Sequence, residues 1–253
     1  MTFLVALGAG MFCDAQAQHY TGVAYATDTG QVRYREEHWL FDDHGIPTRL
    51  VLYRCPSGDP FARKWVRYVG ASWAPEFEMF DNRDGYMEGA RHTPGGWQVY
   101  VKQNALAPKE TAELPERPNA VIDAGFDAFV QAHWSELAHN QALPAAFLMP
   151  SRLDYLNLKL ISTGSAPRDG VASRQLRMSL DGWLSAIAPT VDLSYTEADH
   201  RLMQFTGISN IRDAHGKRQR VLIDFPTPDT QAMPTHAQVD AAANATLVKQ
   251  CEG

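Results

Sequence analysis

The densest group of side chains that could share a metal ion or a proton is His38, Asp42, Asp43 and His44, within seven residues of one another. Two imidazoles and two carboxylates at that density could coordinate a cation or form an acid–base pair. They straddle Asp42 to Gly45 (DDHG), however, and turns use Asp and Gly for backbone reasons that need no ligand. His133 and His139 stand six apart, which on a helix turns them away from each other, whereas paired ligands want a spacing such as His-x-x-x-His. His133 falls between Val130 and Leu137 on an apolar stripe, where a hydrogen-bonded histidine at a helix–sheet seam is expected. Asp81 to Gly85 (DNRDG) lacks the alternating acids and terminal Glu of a calcium loop.

Nucleophilic catalysis has no local signature here, because no Gly-x-Ser-x-Gly elbow occurs and Ser151 and Ser165 read as loop serines. Glu36 and Glu37 are adjacent and Glu76 and Glu78 share a strand face; both pairs read as solvent-side residues that blunt a strand edge rather than as glycosidase carboxylates. The Asn244-Ala245-Thr246 sequon matters only in a glycosylating host. No catalytic residue, metal ligand or cofactor is assigned from these patterns. An enzyme would have to assemble its site from distant loop residues such as His38, Asp42, His44, Ser151 and Arg152.

The elements that must position such groups are mainly strands. From Tyr20 to Lys102 residue types alternate between the turn signals TDTG, DDHG, DNRDG and PGG, at the spacing of about ten that marks sandwiches and barrels. Val32 and Tyr34 alternate with arginines, and Trp39 and Phe41 continue that apolar face past Glu37. Phe77 and Met79, then Trp97, Val99 and Val101, repeat the alternation. Leu106 to Ala120, with Pro108, Pro115 and Pro118, reads as a long surface loop. Phe126, Phe129, Val130, Trp134 and Leu137 fall at helical spacing, with Asp123 as start and Asn140 as end. Strands resume at Ala146 to Met149, Leu153 to Ser162, Gln175 to Leu180, Val191 to Tyr195, Arg201 to Thr206 and Arg220 to Phe225. Asp181 to Ala188 is a short helix or an irregular crossover. The expected fold is mainly β: a long curved antiparallel sheet or half-open barrel with one or two helices packed against it. Such a sheet can leave an apolar cavity where its six tryptophans would serve either a large core or a pocket wall.

The first residues carry an apolar run from Phe3 to Phe12 followed by Ala15-Gln16-Ala17, the small-x-small pattern of a signal peptide cleaved after Ala17. The run is too short to span a membrane, and no later stretch is longer. This divides the chain into a signal peptide over 1–17, a single β-rich domain over 18–228 and a tail over 229–253 that is partly helical or disordered, with Thr235 and Gln238 in capping-box spacing. A periplasmic or secreted location follows. There Cys55 and Cys251 either form a bridge or leave the tail loose, two outcomes the spacing does not separate. The formal charge of -6 argues against a nucleic-acid partner, which needs clustered Lys and Arg. The basic run Lys217 to Arg220 (KRQR) is brief and suits a solvated hairpin turn.

Three stretches, GFDAFVQAHWSELAHN, LPAAFLMPSRLDYLNLKL and RLMQFTGISNIRDAHGKRQRVLIDF, carry a Phe-Asp-x-Phe helix with a His-Trp, a Pro-Ser-Arg-Leu turn and a Gly-x-Ser-Asn hairpin. In these residues the last half of the chain resembles a group of uncharacterised exported proteins of Gram-negative bacteria. The resemblance implies an envelope location and no activity. By architecture alone, the expected sheet is also similar to the periplasmic lipoprotein carriers that hold acyl chains in a half-open barrel. The leading functional expectation is a non-catalytic periplasmic protein that binds a lipid-like or amphiphilic molecule, with Met79, Trp97, Trp134, Leu158, Met178 and Phe205 as wall residues by their inward parity. The alternatives are the loop-assembled hydrolase and an envelope scaffold, which would show a broad exposed apolar patch and no pocket.

Overall fold

A computed structural model describes residues 19–139, 141–182, 189–226 and 234–252. The signal peptide read over 1–17, Asn140 as helix end, most of the 181–188 crossover and the start of the tail lie outside the described residues.

The first half of the chain is a meander of β1 (His19–Ala26), β2 (Val32–Asp43), β3 (Ile46–Arg54), β4 (Pro60–Arg67), β5 (Glu76–Asp81), β6 (Tyr86–Thr93), β7 (Gly96–Lys102) and β8 (Lys109–Leu114). The second half starts at β9 (Ala120–Ile122) and continues through β10 (Leu143–Met149), β11 (Asp154–Ser165), β12 (Ser173–Leu180), β13 (Val191–Thr196), β14 (Leu202–Arg212) and β15 (Arg218–Asp224). All fifteen strands join one open sheet that runs from β8 back to β1, across to β15, and back again to β9. Pairing is antiparallel throughout except between β9 and β10. The sheet therefore closes on itself in sequence at its middle, where β1 meets β15, and leaves its two edges, β8 and β9, as chain neighbours.

Register defines the two faces. Tyr20, His38, Val51, Lys64, Met79, Glu88 and Val101 are successive cross-strand partners from β1 to β7, so all project from one face. Val66, Phe77, Ala90 and Val99 share that face, and against them pack Ala120, Ile122, Ala146 and Leu148 from β9 and β10. The sheet is thus rolled like a scroll, with one edge tucked face-on inside the other half rather than hydrogen-bonded to it. Gly96, at φ +127, turns the chain from β6 into β7 where a Cβ would collide with the Leu114 carbonyl of β8.

Four sequence expectations differ from the structure. The segment 106–120 contains an edge strand, β8, because Pro108 and Pro115 flank it instead of interrupting it, and edge strands tolerate such neighbours. Phe126 to Leu137 is not one helix: a 3-10 turn over Asp123–Gly125 leads into α1 (Phe126–Ala132), and a break at His133 separates α2 (Trp134–Ala138). The His133 Nδ1 bonds the Phe129 carbonyl at 2.9 Å, as the seam reading anticipates. Tyr34 and Trp39 do not share a face, since β2 pairs without interruption from Glu36 to Trp39. Trp39 instead joins Leu50 and Leu52 on the outer face, beneath Val239 and Ala242 of α3 (His236–Ala243). Correspondingly, Glu36 is not a solvent-side acid; it points into the roll and is 8% exposed.

The segment holding α3 acts as an external strap. Thr235 and Gln238 complete a reciprocal capping box at its start. Beyond it, Asn82 donates to the Leu247 carbonyl at 2.6 Å, Val248 N donates to Pro60 O at 2.8 Å, and Cys251 is disulfide-bonded to Cys55. The bridge closes a loop of nearly the whole described chain, with a sequence separation of 196, so its loss enlarges the unfolded ensemble. Replacing both cysteines by serine is expected to lower the unfolding free energy by about 2–4 kcal/mol in urea titrations; an unchanged midpoint would show that the strap is held by α3 alone.

Candidate functional site

The roll encloses a cavity of about 760 Å³ whose two walls differ in character. One wall is apolar and comes from the second half of the sheet: Phe147, Leu158, Met178, Leu193, Phe205 and Ile223 are on successive strands from β10 to β15. The opposing wall, from β2 to β6, carries Glu36, His38, Arg49, Lys64 and Glu88. Alternation explains the placement: each of these residues shares the inward parity of Tyr34, Val51 and Tyr53, so the strand pattern that builds the core also turns charges inward.

Buried charges require partners, and α1 with its preceding turn supplies two. Lys64 Nζ donates to both carboxylate oxygens of Asp123 at 3.0 Å. Burial works against the lysine charge, but Asp123 and Glu36 outweigh it and hold the ammonium above its ordinary range. Asp123 makes this contact from a left-handed backbone conformation, φ 42, uncommon for a residue with a side chain. Four residues on, Asp127 accepts from the Tyr195 hydroxyl at 2.8 Å and stands 3.6 Å from Arg49 Nη1. The two aspartates thereby fasten α1 across the cavity to the sheet.

His38 and Glu36 form the third pair, Nε2 to Oε2 at 3.2 Å, with Tyr20 stacked on the imidazole at 4.4 Å between ring centroids. Burial pushes His38 below its ordinary pKa, so the ring is neutral and the Nε2–H donates to the carboxylate. Glu88 accepts from the Tyr86 hydroxyl at 2.6 Å and faces Arg218 at 3.7 Å; burial pushes its carboxyl up.

Of the wall residues expected from sequence, Leu158, Met178 and Phe205 line this cavity, while Met79, Trp97 and Trp134 do not. Met79 has the inward parity but packs into the core among Tyr34, Tyr53 and Phe61. Trp97 lies under the tucked edge and lines a separate cavity of about 400 Å³ with Trp73. Trp134 stacks on His200 at 4.1 Å and under the Arg174 guanidinium. The loop-assembled hydrolase set is not brought together. His38, Ser151 and Arg152 line the cavity, but Asp42 caps the Gly45 amide in the β2–β3 turn, and the His44 side chain is 97% exposed beside Asp43. Among the described residues no group of three His, Cys, Asp or Glu is arranged to hold a metal ion. Sequence reasoning passed over Arg49, Lys64, Glu88, Asp123 and Asp127; the signal was an ionisable residue at an inward strand position or in the first turn of a helix, which alternation alone reads as solvent-facing.

No family model and no curated protein matches the chain. Among solved structures it is similar to a β-barrel-like protein of the domain of unknown function DUF1849 from Brucella abortus, at 9% identity and a TM-score of 0.46, covering 84% of this chain and 100% of that one. A DUF1329 family protein from Desulfovibrio piger gives 8% identity and a TM-score of 0.27, over 85% and 86% of the two chains. A putative outer membrane lipoprotein-sorting protein domain from Vibrio parahaemolyticus gives 9% and 0.25, over 89% of each chain.

A neutral buried His38 links stability to pH. Its folded pKa is depressed, so below about pH 6.5, its ordinary value, the unfolded chain binds the proton better and stability falls as pH drops toward the folded value. His38→Gln is expected to lose less stability than the native chain between pH 7.5 and 5.5 in parallel urea titrations. Identical losses in the two proteins would show that His38 titrates normally.

Proposed function

We propose that this protein binds a lipid-like or other amphiphilic molecule in the rolled sheet and performs no chemistry on it. The observation that carries the reading is the cavity itself: about 760 Å³, within the range of ligand pockets, with a continuous apolar wall facing a charged one. An alkyl chain laid along Phe147, Leu158, Met178 and Phe205 gains about 0.8 kcal/mol per buried methylene, which offsets the cost of ordering it. The charged wall gives the polar end partners that a purely hydrocarbon ligand would leave desolvated.

A periplasmic or secreted location fits this role. The apolar run with Ala15-Gln16-Ala17 supports export, the Cys55–Cys251 bond suits an oxidising compartment, and among the described residues no helix is long and apolar enough to cross a membrane. Among the described residues the exposed large apolar side chains, Val69, Leu106, Val171 and Ile208, come from four separate segments, which favours the cavity reading over the scaffold alternative. The hydrolase alternative retains one favourable feature, the His38–Glu36 contact within a cavity, but no serine or cysteine hydroxyl or thiol donates to that histidine among the described residues.

Native mass spectrometry of protein purified without detergent from its own host, followed by organic extraction, is expected to reveal a bound amphiphile in the lipid size range. Met178→Trp, which fills the apolar side, is expected to weaken binding of a single-chain amphiphile at least about tenfold, or about 1.4 kcal/mol, with an unchanged circular dichroism spectrum. Trp134→Ala, outside the cavity, is the control and is expected to leave affinity intact. Equal affinity in all three proteins would place the ligand elsewhere.

A further inference from the structure

Arg49 is the cation on the charged wall whose hydrogen-bond donors the internal pairings leave unmet among the described residues. The residue is 7% exposed, yet none of its N–H groups donates a hydrogen bond among the described residues. Its Nε is sealed off without a partner, and the approach of Nη1 to Asp127, at 3.6 Å, is longer than a hydrogen bond. Lys64, by contrast, is fully engaged by Asp123, Glu36 by His38 on one oxygen, and Asp127 by Tyr195. A guanidinium held out of water normally satisfies its fork of donors with a carboxylate, phosphate or carbonyl. Here Arg49 lines the cavity.

We infer that Arg49 is the anchor for the head group of an anionic single-chain amphiphile, of which a long-chain carboxylate is the simplest member. The carboxylate takes the Nη fork of Arg49 in place of the long contact with Asp127, and the chain extends over the apolar wall toward Met178 and Phe205. This rests on the proposed amphiphile-binding role and specifies its ligand class.

The test compares decanoate, decanol and decylammonium at pH 8, each below its aggregation concentration, by titration calorimetry on the full mature chain. Expected is decanoate binding about tenfold or more tighter than decanol, in line with a charge-assisted pair, with decylammonium weakest. Arg49→Gln is expected to abolish the preference for decanoate over decanol. Asp127→Asn, which removes the competing carboxylate but keeps an acceptor for Tyr195, is expected to widen the preference; with the native comparison it keeps the test decisive should Arg49→Gln fail to fold. Equal affinities for decanoate and decanol, or a preference for decylammonium, would overturn the Arg49 assignment while leaving the cavity reading standing. Failure of all three to bind would overturn both.

Discussion

The two edges of this sheet never meet through hydrogen bonds, and the remainder of the molecule follows from how that is managed. Closing fifteen strands as a barrel would fix strand tilt and stagger all round the ring. Instead β9 and β10 turn inward and lay Ala120, Ile122, Ala146 and Leu148 on Val66, Phe77, Ala90 and Val99. Side-chain packing has no fixed register, so the roll sets its own radius, and that radius leaves room between the walls. The exposed edge β8 is kept from recruiting another strand by Lys109, Glu110 and Glu113.

An unfilled roll brings a second problem, which is that charges on the inner face cannot be discarded into solvent. Removing one member of a buried pair is costly because the other is left unpaired in low dielectric. The aspartates around α1 answer this for Lys64 and in part for Arg49. They also explain why the helix is where it is: its apolar side packs Phe129 and Val130 on Leu160, Leu176 and Leu193, and its acidic side reaches across the cavity. One short element thus fastens the apolar wall to the charged one. The outer face is treated differently, with α3 covering Trp39, Leu50 and Leu52 where the inner face has a ligand-sized space.

The β class, the sheet's curvature and most strand centres were legible because turn signals and alternation are local. The faces were not always legible. In β3 six consecutive residues from Thr48 to Tyr53 are buried, since α3 covers one side and the roll encloses the other. Where both faces are covered, apolar residues mark neither, and alternation alone puts Trp39 on the same side as Tyr34. For the same reason Glu36 reads as a surface charge. The cavity wall from Leu158, Met178 and Phe205 could be found by parity, but whether an inward residue meets a void or another side chain is decided by the opposite strand. Met79 meets Tyr34 and Tyr53; Trp97 meets the tucked edge. That is information about distant pairing, which alternation does not carry.

The most direct measurement of a chain-binding cavity is the heat-capacity change on binding a homologous series of straight-chain amphiphiles from octyl to dodecyl. Burial of apolar surface gives a negative change that scales with the surface removed from water. A saturable one-to-one complex with a heat-capacity change that grows more negative with each added methylene is the expected result. A change near zero, or one independent of chain length, would mean that the hydrocarbon stays in solvent and that the roll is not a binding site for it.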